Sequence, residues 1–221
     1  MNNKKITRRN LIQKVSTLIV GSSISPALLG QKMISAPNDP KIVFIPPGGG
    51  LKGKISKSDI TFKLDKTQTS GHFGSSELII PPGQLGAPPH CHKTFDEICI
   101  VLEGTVHIMV ADEVFEVKKG GWHLRPRGKV HTFWNSGKKK AKIIELCAPG
   151  GHEAYMQDLA KLFEYGAKPH PDDLRKLAEK YDIVFQFAKL NEIIKKYGIS
   201  LQELKLDTTG FWSGVNKHYA N

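Results

Sequence analysis

An all-β sandwich or barrel followed by a short helical segment is the architecture this sequence predicts, and three observations predict it. Apolar or alternating runs of about strand length recur from residue 41 to residue 147. Glycine, proline and acidic residues punctuate those runs at the joints. Beyond Pro149 the apolar period changes from that of a strand to that of a helix.

In chain order the runs are Lys41–Ile45, Asp59–Leu64, Ser76–Ile80, Glu97–Glu103, Thr105–Ala111, Glu113–Val117, Gly121–Arg125, Val130–Trp134 and Ala141–Cys147. Short strands at such even spacing are the pattern of sandwiches and barrels. Glu103-Gly104, Ala111-Asp112, Lys119-Gly120-Gly121 and Ser136-Gly137 supply the turn chemistry between them. In the helical segment, Met156, Leu159, Leu162 and Phe163 fall at helical spacing within Glu153 to Tyr165. Pro171 is suited to a first helical position, and Asp172 and Asp173 complement the positive end of the helix it opens. A third helix from Leu190 to Tyr197 stops at Gly198. This tail is expected to pack on the barrel or on a partner subunit.

The 221 residues carry a formal charge of +11, which raises the question of nucleic acid. Lys4, Lys5, Arg8, Arg9, Lys14 and Lys32 lie within residues 1–36, where there is no acid, and without them the excess falls to +5. The other basic residues are scattered or in short runs such as Lys138-Lys139-Lys140, with no arginine-rich helix, so a solvated surface and no nucleic-acid partner are expected. The basic start precedes a modestly apolar run, Val15 to Leu29, too short and too polar for a stable membrane span. Thr7-Arg8-Arg9-Asn10-Leu11-Ile12 resembles a twin-arginine export signal, which implies a periplasmic protein. The expected organisation is therefore an export signal and linker over 1–36, a barrel over 37–150 and a helical extension over 151–221. Cys91, Cys99 and Cys147 are odd in number and show no C-x-x-C pairing, so buried free thiols are expected.

The chemistry concentrates in His90-Cys91-His92, Glu97 and Gly104, followed by Gly120, Pro126-Arg127-Gly128, His131 and Asn135. Residues two apart on a strand share a face, so His90 and His92 can present two imidazoles while Cys91 points away. Glu97 begins the next apolar run and can swing its carboxylate back across a tight loop. His131 follows a Pro-x-Gly turn that can bring a third imidazole from across the barrel. Three imidazoles and one carboxylate meeting at a point form a transition-metal site. The remaining histidines, His72, His107, His123, His152, His170 and His218, are read as surface or satisfied side chains.

On these residues the sequence resembles the cupin superfamily. One family motif is matched by His90, His92, Glu97 and Gly104, the other by Gly120, Pro126, Gly128, His131 and Asn135. The glycine expected five residues before the first histidine is displaced by one, to Gly83. The resemblance implies a jelly-roll barrel, the double-stranded β-helix. The exported single barrel with its helical tail looks most like the quercetin-dioxygenase-like group. That likeness implies dioxygen chemistry on a flavonol or related enolic or phenolic substrate, with Glu97 as general base.

Four protein ligands leave open positions on a five- or six-coordinate ion, which favours Fe, Mn, Ni or Co over zinc. Strand parity places Phe133 on the face of His131 and Cys99 on the face of Glu97, making both candidates for the substrate pocket, with Trp134 facing the other way. An isomerase or decarboxylase of the same architecture, or a non-catalytic periplasmic binder, are the alternatives, since a fold does not fix an activity. Homodimer formation is a further possibility for a small barrel of this kind.

Overall fold

The structure, a computed structural model, describes residues 41–201; the stretch expected to be an export signal and His218 lie outside them. Eleven strands and three α-helices follow one another among the described residues: β1 (Leu51–Ile55), β2 (Ser58–Leu64), β3 (Gly74–Ile80), β4 (Gln84–Cys91), β5 (Asp96–Glu103), β6 (Thr105–Val110), β7 (Glu113–Lys118), β8 (Trp122–Arg125), β9 (His131–Asn135), β10 (Ala141–Ala148), α1 (His152–Leu162), α2 (Pro171–Lys180), β11 (Val184–Phe185) and α3 (Leu190–Tyr197). The strands form two antiparallel sheets, β1-β2-β3-β10-β5-β8 and β11-β4-β9-β6-β7. This is the two-sheet arrangement of a sandwich or barrel that the runs and turns predict, and of the jelly-roll that the resemblance implies.

Alternation of apolar residues decides which faces meet. Ile60, Phe62, Leu78, Ile80, Cys99, Val101 and Ile143 of the first sheet pack against Val106, Ile108, Val117 and Phe133 of the second, and all are buried. At the β5–β6 joint Gly104 takes a left-handed φ of 73°, and a Cβ there would come within 3.0 Å of the Lys140 carbonyl oxygen. Asn135 closes the other end. Its Nδ2 donates to the carbonyls of Ile80, Pro81 and Lys139, while its Oδ1 accepts from the Gly137 N–H.

The Lys41–Ile45 run forms no strand: Ile42 and Phe44 are exposed, and the chain continues into Pro46-Pro47. The first strand instead comes from Leu51–Ile55, whose polar residues give no apolar signal, and it pairs with β2 in a tight hairpin. β4 also escapes the run-based reading. Pro88 and Pro89 remove two ladder donors, and the β4–β9 register shifts on both sides of Ala87.

The tail packs on the barrel at two places. Leu190, Ile193 and Ile199 of the α3 region cover Leu85, Met109 and Trp134 on the outer face of the second sheet. Trp134 thus faces away from Phe133, as parity predicts. α1 and α2 close the other flank, where Tyr155, Ala178 and Ile183 surround Phe95 and Cys147. Between those two docking points the chain adds β11 to the sheet edge, with Val184 opposite Cys91 and Phe185 opposite His90. α3 ends where the sequence says it should, with Gly198 in the left-handed conformation.

Candidate metal centre

His90 lies near the end of β4 and stands opposite His131, the first residue of β9. His92 follows one residue beyond β4, and Glu97 is the second residue of β5. The short links between these positions are pinned. Asp182 accepts from the Lys93 N–H and the Thr94 hydroxyl in the loop between His92 and Glu97. Asp96 accepts from the Arg127 backbone N–H and holds its guanidinium in a bidentate pair, at 2.8–3.0 Å. Gly128, at φ 74°, donates its N–H to the His92 carbonyl. The Pro-x-Gly turn before His131 is thereby tied to both other ligand-bearing segments.

His90, His92, Glu97 and His131 each offer a donor atom, and these atoms all lie within 4.8 Å of one another. Ligands held about 2.0–2.2 Å from one ion stand roughly 3–4.4 Å apart, so small side-chain adjustments close the set on an ion. The hydrogen bonding fits the same use. Nδ1 of His90 lies 2.8 Å from the Pro88 carbonyl and Nδ1 of His131 lies 2.9 Å from that of Lys129. A carbonyl only accepts, so both rings carry their proton on Nδ1 and turn the Nε2 lone pair to the cluster. His131 Nε2 and both nitrogens of His92 are buried without a hydrogen-bond partner among the described residues. Orphaned donors of this kind, converging in a buried place, are what a metal would satisfy. His92 is held by stacking on Phe95, with ring centroids 3.7 Å apart.

Charge supports the arrangement. Burial, joined by the electrostatic influence of the neighbouring His131 ring, holds His90 well below the usual histidine range, so it is the neutral imidazole a metal requires. Burial would raise the Glu97 carboxyl, but the Arg125 guanidinium beside it outweighs that and keeps Glu97 well below the usual carboxylate range. Arg125 is the cross-strand neighbour of Glu97. It is fully buried, with Nη1 2.9 Å from Glu97 Oε2 as an ion contact and Nη2 donating to Glu145 Oε1 at 2.6 Å. Burial pushes the Glu145 carboxyl up, against the opposing pull of Arg125.

Phe133 lines a cavity of about 110 Å³ that the cluster opens onto through His90 and Glu97. Cys99 shares the inward face of Glu97, but it is packed into the apolar core beneath and is not part of the cavity wall. Burial raises its thiol to about 12, which marks an inert core thiol. His152 corrects an expectation. Read from sequence as bland, it opens α1, is buried, lines the cavity, and places Nε2 3.5 Å from Glu97 Oε1. Burial lowers it to about 4. Only the tertiary fold brings α1 to the cluster, so no local spacing could have revealed it.

Arg125 and Glu145 were also passed over, and here a signal existed. Both are charged residues inside strand runs, Glu145 at the same parity as Ile143 and Cys147, which is the parity of the core.

A Cupin domain family model matches residues 76–147, a span that contains all four candidate ligands. Among curated proteins, a germin-like protein (subfamily T member 2) of Arabidopsis thaliana is 37% identical over 68 residues, covering 28% of this chain and 30% of its own length. Endoribonuclease YbeY of Myxococcus xanthus is 28% identical over 116 residues, covering 50% of this chain and 37% of its own. The chain thus spans about a third of the length of these curated relatives. Among solved structures, a predicted oxalate decarboxylase from Thermotoga maritima is 16% identical, with 48% of this chain and 99% of that one covered at a TM-score of 0.46. KdgF from Halomonas sp. is 15% identical, with 51% and 99% covered at 0.45.

Proposed function

We propose that this chain is a metal-dependent cupin that acts as a dioxygenase on a small enolic or phenolic substrate. His90, His92, Glu97 and His131 would hold one divalent transition ion, Fe, Mn, Ni or Co in preference to zinc. The observation that carries this is the four-donor cluster facing a cavity whose body is apolar. A bound ion would supply Lewis acidity toward a substrate oxygen and a centre for dioxygen.

The protein's own groups do the rest. His90 and His131, fixed through Nδ1 by backbone carbonyls, keep their Nε2 atoms aimed inward. Arg125 would keep Glu97 ionised by holding Oε2, and Oε1, the oxygen that would hold the ion, would take the proton of the substrate hydroxyl on loosening from it. Phe133, Tyr155 and Phe185 form a wall against which a flat ring packs and from which water is excluded. Such a lining disfavours a small dianion such as oxalate.

Elemental analysis after reconstitution, combined with oxygen uptake over a panel of flavonols and catechols, tests the proposal. One ion per chain and substrate-dependent uptake are expected. Absence of metal after reconstitution with Fe, Mn, Ni and Co would overturn it, and a ligand bound tightly and released unchanged would favour a non-catalytic binder. We further propose export through the twin-arginine route, which Arg8→Lys with Arg9→Lys should block. Undiminished export of that double variant would count against it.

A further inference from the structure

The cavity has a polar end and an apolar body. His90, Glu97, Glu145 and His152 make the polar end. Three of these are engaged: His90 by the Pro88 carbonyl, Glu97 by Arg125, and Glu145 by Arg125. His152 differs. Its ring is wedged between Phe95 and Tyr155, with centroids 4.8 and 5.3 Å away, so its position is fixed by packing. Its Nδ1 is buried with no hydrogen-bond partner among the described residues. Its Nε2 approaches Glu97 Oε1 at 3.5 Å, long for a hydrogen bond, on the carboxylate oxygen that Arg125 does not hold. The His92 ring is 6.2 Å off, and His152 is outside the four-donor set, although its donor atom also lies within 4.8 Å of those of Glu97 and Cys147. A buried, rigidly held and unsatisfied imidazole on a cavity wall is a group waiting for a polar atom of a ligand.

The cavity also sets a size. Its volume is about 110 Å³. An engineered apolar cavity of about 150 Å³ takes up a single benzene, whereas pockets for drug-sized ligands run to roughly 300 Å³ or more. One ring fills that volume, and the remaining rings of a flavonol would have to extend through the cavity's open side.

Resting on the metal-dependent reading of the cluster, we propose that His152 is a substrate-contacting residue that hydrogen-bonds the hydroxyl oxygen of a single-ring phenol or enediol held in this cavity. The C-terminal segment then supplies part of the binding site, because α1 is the element that delivers this imidazole.

The experiment uses full-length protein loaded with Co(II) and catechol as the probe, without oxygen. Binding is followed by calorimetry and by the visible Co(II) spectrum, in wild type, His152→Leu and His152→Gln, with Co content measured on each. Wild type should bind catechol more tightly than quercetin. His152→Leu should keep its Co(II) and lose about tenfold or more in catechol affinity, the scale of one buried hydrogen bond. His152→Gln, which keeps a polar nitrogen and guards against a misfolded leucine variant, should regain part of it. The proposal is overturned if loaded wild type ignores catechol or prefers quercetin, or if His152→Leu binds catechol within twofold of wild type. It is also overturned if His152→Leu loses its Co(II), since His152 would then be a metal ligand. Failure of wild type to take up Co(II), Fe, Mn or Ni would instead strike the metal-dependent reading itself.

Discussion

Replacing Arg125 by Met gives the sharpest test of the charge arrangement. The guanidinium is fully buried and shared between two buried carboxylates, 2.9 Å from Glu97 and 2.6 Å from Glu145. Methionine keeps most of the stem volume beside Phe133 and removes the charge. Both carboxylates are then left uncompensated in the interior, and breaking a buried pair in this way costs about 3–5 kcal/mol. For a domain of this size that corresponds to a fall in Tm of roughly 6–20 °C. The loss should be smaller in the Glu145→Gln background, where one of the stranded charges is already gone. It should also shrink in metal-loaded protein, because a cation on Glu97 replaces the missing positive charge. Thermal unfolding of wild type, both single variants and the double variant, with and without metal, reads all of this. A metal-free Arg125→Met protein melting within about 2 °C of wild type would refute the reasoning, as would a deficit unchanged in the Glu145→Gln background.

Three other outcomes are expected. His131→Ala should weaken metal retention by more than the roughly 10–100-fold that loss of an outer partner costs, as measured by metal content after dialysis, and full occupancy would reject the ligand set. Burial holds His152 at about 4 when folded against 6.5 when exposed, so its contribution to stability is complete above pH 6.5 and is lost as pH falls from there toward 4. The amount is about 3 kcal/mol, and denaturant unfolding of metal-free protein should show a flatter pH profile for His152→Leu than for wild type. A methyl group on Gly86 would fall on the Phe133 ring, so Gly86→Ala should destabilise by about 1–3 kcal/mol and displace the ring that lines the cavity. Adding Phe133→Ala should remove most of the Gly86→Ala penalty, and simple additivity of the two would show that the clash is not the cause.

The barrel was legible because its strands obey two local rules together, alternation and turn chemistry, as Asp59–Leu64 and Ala141–Cys147 illustrate. Where one rule is suspended the reading falters. Pro88-Pro89 disguise β4 although that strand carries His90, and Lys41–Ile45 has strand-like residues yet forms no strand. His90, His92 and Glu97 were visible because a strand end and a tight turn fix their spacing over a few residues, and His131 because it follows a Pro-x-Gly turn at the start of its own strand. The buried ion pairs were harder to see, since β8 inverts the usual pattern: Trp122 and Leu124 face solvent while Arg125 is fully buried. Hydropathy alone assigns those faces the wrong way round. His152 lies beyond any local rule, because it meets Glu97 only after α1 has docked.

The pairing of Val184–Phe185 onto the outer edge of β4 has a consequence for how the protein tolerates truncation. A chain cut after Pro149 would keep every proposed metal donor, yet it would leave the backbone donors and acceptors beside His90 with nothing to bond. Such a raw edge next to an apolar hollow invites strand addition from a neighbouring copy. The shortened barrel should therefore self-associate, and its candidate metal centre should stand open to bulk water.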